Sequence, residues 1–200
     1  MSKAVLMSIR PKWCELIASG KKTVEIRRRK PNLEPPFKVY IYATWNGNSR
    51  EILMRQGKTL FVADYRNNAD RASGKVIGEF VCDEIFPIRV FENGSIQDYM
   101  WHRLERSCVP YDDISEYIGK DKTGYGLHIS DLVIYDEPKE LGEFYQIGKN
   151  TAHSYYDYCA GCVHHETPVG EYPCCECDGN RNYLYSPPQS FCYVEEGGTR

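Results

Sequence analysis

Apolar residues in this chain fall mostly into short runs of period two, cut by Pro, Gly and charge. The run KAVLMSI, Lys3 to Ile9, predicts a short buried strand. Pro11 then stands at a first helical position and Gly20 at a helix stop. Between them Trp13, Leu16 and Ile17 fall at i, i+3 and i+4, one apolar face of a short helix. In KTVEIRR the period returns to two: Val24 and Ile26 face one way, and Thr23, Glu25 and Arg27 the other. After a Pro-rich loop, KVYIYAT (Lys38 to Thr44) predicts a further strand. Gly, Asn and charge break every period in residues 46–74, which predict a helix-containing excursion or a long loop.

GKVIGEFVCDEIFPI, Gly74 to Ile88, predicts one long strand bulged at Gly78. Two short helices follow. One starts from Ser95 in SIQDYMWHRLER. The other is DISEYIG, where Asp113 and Glu116 have capping-box spacing and Gly119 supplies a stop. YGLHISDLVIYDEP (Tyr125 to Pro138) and PPQSFCYVE (Pro187 to Glu195) read as strands again. Five or six short strands with few helices predict an α+β, mainly β fold, a small and partly closed β-barrel with short helices packed outside it.

The overall charge of −3 hides an asymmetry. Residues 1–30 hold nine Lys and Arg against Glu15 and Glu25, a net of +7, so the rest of the chain carries −10. A basic patch on an otherwise acidic protein points to an anionic partner met at one place, such as a phosphate backbone. A run of charge is also the ordinary composition of a solvated face. No stretch reaches the ~18 apolar residues of a membrane span. AVLMSI is short for a signal-peptide core, and RPKW follows it with no small-residue cleavage site. The expectation is a cytoplasmic protein with no membrane partner. There, nine Cys point to metal binding or free thiols, not to a disulfide framework.

The cysteines are unevenly spread. Two residues separate Cys159 from Cys162, and two separate Cys174 from Cys177, in YCAGCVHHETPVGEYPCCEC. Each such pair can grip one edge of a tetrahedral zinc ion, and four thiolates leave no open position for water. The expectation is therefore a structural zinc on Cys159, Cys162, Cys174 and Cys177. Cys175, His164 and His165 are alternative ligands. Cys14, Cys82, Cys108 and Cys192 lie in apolar contexts and read as core residues. The expected organisation is a main domain over residues 1–145, a zinc-binding insertion over 155–183, a last strand over 184–196 and a tail over 197–200.

The charged strand carries the remaining chemistry. Lys22 lies just before it, and Glu25 and Arg27 project together from its polar face. A carboxylate between two cations can accept hydrogen bonds from a base edge while the cations meet phosphate. It could instead serve as a general base, with Lys22 stabilising an oxyanion. A salt bridge that only joins strands is the third possibility. Trp45, at a strand end in ATWNGN, is a candidate stacking residue, whereas Trp13, Tyr40, Tyr42 and Trp101 read as core. Ser8 could touch phosphate or cap the helix. His128, between Leu127 and Ile129, reads as a structural histidine.

Gly20, Lys22, Glu25 and Arg27 form a Gly-x-Lys-x-x-Glu-x-Arg run after SIRPKWCELIASG. This resembles the ASCH domain, a member of the PUA-like superfamily, and the later strand blocks resemble phage and bacterial members. The Cys window is similar to short Cys-x2-Cys modules of phage-encoded proteins. The resemblance implies a five- or six-stranded barrel with a cleft beside the run, binding RNA or a modified nucleotide through Ser8, Lys21, Lys22, Glu25, Arg27 and Trp45. It also implies an alternative, a hydrolase on RNA or a modified nucleoside using Lys22 with Glu25 or Glu79. Related N4-acetylcytidine amidohydrolases place a Thr where this chain has Glu25, so their nucleophile is missing here. A zinc-stabilised protein-interaction module is a further reading.

Overall fold

A computed structural model describes residues 2–45, 51–63, 70–97, 101–147, 184 and 186–197. The chain runs through β1 (Lys3–Ile9), α1 (Pro11–Ala18), β2 (Val24–Arg27), β3 (Phe37–Ala43), β4 (Ile52–Gln56) and β5 (Thr59–Ala63). It continues through β6 (Val76–Cys82), β7 (Ile85–Arg89), α2 (Trp101–Glu105) and α3 (Tyr111–Ile118). The last elements are β8 (Thr123–His128), β9 (Ser130–Lys139), a 3-10 turn at Leu141–Glu143, β10 (Gln146–Ile147) and β11 (Phe191–Glu195).

The fold is mainly β with a few short helices, but the strands form open sheets and not a closed barrel. One sheet has six strands in the order β10-β11-β1-β3-β6-β9, a second has β2-β8-β7, and β4-β5 is a separate hairpin. The expected single strand over Gly74–Ile88 is two strands. Asp83 and Glu84 interrupt it, and the chain leaves the large sheet at Cys82 to join the small one at Ile85. Tyr125–Pro138 divides in the same way between β8 and β9. Among the described residues no ladder closes, and each half of the two expected long strands pairs in a different sheet.

The bulge expected at Gly78 falls beside it. Ile41 pairs with Gly78 and Tyr42 with Val76, leaving Ile77 as the extra residue. A side chain at Gly78 would meet the Val133 carbonyl at 2.3 Å, so β9 can approach only because this position is glycine. Residues 52–63, expected as a helical excursion or loop, form the β4-β5 hairpin, turned by Gly57 at φ +60°. α3 begins at Tyr111 after Pro110, with no side-chain cap, so Asp113 lies inside the helix and the expected capping box does not form.

Three apolar clusters hold these layers together. Val5, Met7, Ile9, Val39, Ile41 and Phe80 on one face of the large sheet pack with Cys14 and Ile17 of α1, Leu53 and Leu60 of the hairpin, and Leu127 of the small sheet. On the other face, Ala4, Leu6, Tyr40 and Tyr42 are covered by Leu141, Phe144 and Leu184. Val24, Ile26 and Ile88 on the far face of the small sheet pack with Leu104 of α2 and with Ile114 and Ile118 of α3. Glu25 and Arg27 pair with Leu127 and Tyr125, so strand alternation turns them inward, toward the first cluster.

Candidate functional site

Gly20, at φ +73°, ends α1 and turns the chain so that the amides of Lys21 and Lys22 bond the Leu16 carbonyl. This places the Lys22 side chain inside the domain, only 1% exposed. Its Nζ donates to the Val24 carbonyl at 2.8 Å and the Ser107 carbonyl at 2.7 Å, and pairs with Glu25 Oε2 at 3.2 Å. An ammonium has three N–H groups, and all three are used. Glu25 Oε1 pairs with Arg27 Nη2 at 3.1 Å, and the same nitrogen donates to the Ser8 carbonyl at 2.7 Å. Arg27 Nε is buried with no partner, so spare donor capacity within the trio lies on Arg27.

The trio is thus an internal strut. It ties β2 to the end of β1 through Ser8 and to the segment after α2 through Ser107. Backbone bonds from Thr23 and Val24 to the Arg106 carbonyl reinforce the second link. The buried ions also charge the surroundings of Cys14. Its thiol is pushed well above the ordinary range, first by burial and then by the Glu25 carboxylate. Cys14 is therefore a neutral core residue.

The other expected site residues divide into two groups. Ser8 neither caps α1 nor faces solvent. Its Oγ donates to the Pro188 carbonyl at 2.6 Å, and α1 begins after Arg10 without a side-chain cap. Lys21 is exposed. Trp45 lies at the edge reached by β1 and β3, which run parallel and end together, with the Thr44 amide bonded to the Ile9 carbonyl at 2.8 Å. Its ring is 42% exposed and carries the Arg71 guanidinium at 3.8 Å.

Glu79 is not brought to the trio. It lies opposite Tyr40, on the face of the large sheet away from α1. There it accepts from Lys38 at 2.7 Å and from the Tyr135 hydroxyl. Burial acts to raise the Glu79 pKa, but these two hydrogen bonds outweigh it and hold the carboxyl below its usual range.

His128 bonds Asp83 at 2.7 Å. Cys82 and Cys192 are buried as expected, whereas Cys108 is partly exposed. Trp101 departs most from expectation, for it is 48% exposed and packs obliquely on Tyr111. Its neighbours Leu104 and Ile114 fill the core beneath it, a division that local periodicity does not reveal. Cys159, Cys162, Cys174 and Cys177 lie outside the described residues.

Fold and site together define a mainly β domain that buries a cation–carboxylate–cation trio on a segment whose flanking cations, Lys21, Arg28, Arg29 and Lys30, are exposed. Residues 7–97 match the family model of the ASCH domain, so the resemblance read from the Gly-x-Lys-x-x-Glu-x-Arg run holds for this segment. The chain is also similar to a solved ASCH structure from Zymomonas mobilis, at 22% identity and a TM-score of 0.47, covering 69% of this chain and 73% of that one. A single-substitution variant of that protein matches at 21% identity and a TM-score of 0.47, covering 70% and 77%. Comparison with curated proteins finds no match. Among the described residues, no helix is long and apolar enough to cross a membrane.

Proposed function

We propose that this protein binds nucleic acid, RNA or a modified nucleotide, along the edge where β1 and β3 end. One observation carries the reading. Of the nine cations in the first thirty residues, Lys22 and Arg27 are buried in the trio, while Lys3, Arg10, Lys12, Lys21, Arg28, Arg29 and Lys30 are exposed. Among the described residues, none of these seven is in an ion pair, although Arg28 is held by the Tyr117 carbonyl and ring. Arg10 follows directly on Ile9, whose carbonyl bonds the Thr44 amide next to Trp45, whereas Lys3 begins β1 at its other end. Unneutralised cations and an exposed aromatic ring match the needs of a phosphate chain with bases to stack. The ASCH resemblance points the same way, since PUA-like domains commonly bind RNA.

In this reading Lys22, Glu25 and Arg27 hold β2 in place from inside the domain, and Arg10, Lys12, Arg29 and Lys30 meet phosphates. A structural zinc on Cys159, Cys162, Cys174 and Cys177 belongs to the same reading and rests on their spacing alone. The test is RNA affinity measured against salt. Each phosphate contact adds about −0.7 to the log–log slope for a single strand. The double variant Arg29→Ala, Lys30→Ala should weaken binding and make the slope shallower by about 1.4. Salt-independent binding, or an unchanged slope in that variant, would sink the proposal. Lys22→Ala and Arg27→Ala are poorer probes, because both disturb the buried strut.

A further inference from the structure

The lobe of α2, α3 and the segment before α2 carries a feature that neither the trio nor the basic edge uses. Ile96, Gln97, Trp101, Leu104 and Tyr111 line a recess of about 280 Å³. Trp101 is 48% exposed, and its ring stands 5.8 Å from that of Tyr111 with the planes inclined by 43°. Hydrogen bonds between the Tyr111 hydroxyl and the Ile96 backbone fix one ring of this corner. Ile96 and Leu104 are buried beside it. With the Tyr111 hydroxyl engaged, Gln97 supplies the remaining polar group of the described lining.

The charge around the recess is the reverse of that on the first thirty residues. Glu105 follows Leu104, and Asp112 and Asp113 follow Tyr111. All three are exposed, and among the described residues none is in an ion pair. The neighbouring cations are Arg103, paired with Glu84 at 2.6 Å, and Arg106. Three unpaired carboxylates thus stand against one unpaired cation. Adjacent Cα atoms are about 3.8 Å apart, well inside a Debye length of about 8 Å. Glu105 and Asp112 therefore act on the recess whichever way their side chains turn. A negative potential repels a phosphate chain and draws a cation. The face of an indole adds to that preference, because its quadrupole is negative. Elsewhere in this protein the same attraction is already satisfied: Arg71 lies over Trp45, Arg28 over Tyr117, Arg103 over Phe86 and Lys12 over Trp13. Among the described residues no cation lies over Trp101. An apolar side chain would gain nothing from the negative potential or from the Gln97 amide.

We propose that this recess docks a basic segment of a protein partner, one arginine or lysine of which enters it. The aliphatic stem packs on Ile96 and Leu104, the cation meets the Trp101 ring, and the Gln97 oxygen accepts an N–H. Arginine suits the corner better than lysine, since its planar group stacks on an aromatic face and presents more donors. The nucleic-acid reading above uses none of these residues, so the two can fail separately.

The test uses the full chain and a fluorescently labelled peptide of sequence Lys-Gly-Arg-Gly-Lys with blocked ends. Affinity is read by anisotropy. The place of binding is read from the indole N–H signal of Trp101, identified by its loss in Trp101→Phe. The peptide should shift that signal saturably. Citrulline in place of the arginine keeps the shape and removes the charge, and should weaken binding by about fivefold or more. Leucine in its place should do the same. These comparisons use the wild-type chain, so they hold whatever a substitution does to stability. Trp101→Leu, which keeps an apolar wall without the ring, should also cost about fivefold. Asp112→Asn with Asp113→Asn should weaken binding and flatten its fall with added salt. A Trp101 signal that does not move, equal affinity for the citrulline or leucine peptide, or unchanged affinity in Trp101→Leu overturns the proposal. A wild-type dimer that Trp101→Leu dissolves overturns it by making the occupant a second copy. Loss of RNA affinity in Trp101→Leu overturns it by making the occupant a nucleic acid.

Discussion

Glu25 is the residue on which most of the site depends. It lies between two cations that are nearly as buried as itself, with side-chain exposures of 1% for Lys22, 8% for Glu25 and 9% for Arg27. Removing one member of a buried ion cluster leaves charge without compensation in a medium that solvates it poorly. Glu25→Gln should therefore cost about 3–5 kcal/mol of folding stability, read from denaturant unfolding. A loss under about 1 kcal/mol would mean that water reaches the cluster and that the strut is not what holds β2 in place. The spacing of these three residues was legible in the sequence, because alternation alone puts Glu25 and Arg27 on one face. Their burial was not. It depends on Ser8 and Ser107, which lie 19 and 85 residues from their partners, and no local pattern announces contacts of that range. Trp101 shows the converse. Its periodicity matches a core residue, yet the core beneath it is filled by Leu104 and Ile114.

Strand β6 meets its neighbours through a polar clamp built from one residue of each of three adjacent strands: Lys38 on β3, Glu79 on β6 and Tyr135 on β9. The clamp gives the large sheet a pH dependence whose sign is fixed. The Glu79 carboxyl is depressed below its ordinary value in the folded protein, so its contribution is fully present above that ordinary value. It is lost as the pH falls through the lower, folded value. Lys38 shifts upward, chiefly through its hydrogen bond to Glu79, so its share persists through neutral pH and disappears only in strong alkali. Glu79→Gln should therefore lower the Tm at neutral pH, and the gap to the wild type should narrow in acid; a gap that stays constant would remove the carboxylate from the account. At the same scale, β1, α1 and β3 could be read in advance because their signals are local: a period of two, Pro11 at the start of α1 and Gly20 at its end. The β4-β5 hairpin was missed although its turn residue was visible. Gly57 and Lys58 separate two apolar runs, but flanking Gln56 and charge obscured the alternation. The two strand pairs read as single strands failed for another reason. Hydropathy continues across Asp83 and Glu84, and only the choice of partner sheet shows the break.

Across the whole molecule, the last strand is the one whose place depends most on residues far along the chain. β11 pairs with β1 over Lys3 to Met7 and with β10 through Gln146 and Ile147, and it supplies Cys192 and Val194 to the cluster on the outer face of the large sheet. Yet residues 148–190 intervene between β10 and β11, so two neighbouring strands are joined through a long connection. Closing a connection costs entropy that rises with the logarithm of its length. A metal that joins Cys159 and Cys162 to Cys174 and Cys177 would shorten the effective length of this connection and lower that cost. Zinc bound there would stabilise the docking of β11, and through β1 the whole large sheet. Zinc analysis of the purified protein should give about one equivalent, and chelation should lower the Tm. Cys159→Ser with Cys162→Ser should reproduce the drop without chelator and make the protein insensitive to it. Hydrogen exchange at β1 and β11 should rise together after chelation, while the β2-β8-β7 sheet, which shares no ladder with β11, should change least. Zinc below about half an equivalent, or a Tm indifferent to chelation, would leave β11 held by its ladder and the outer cluster alone.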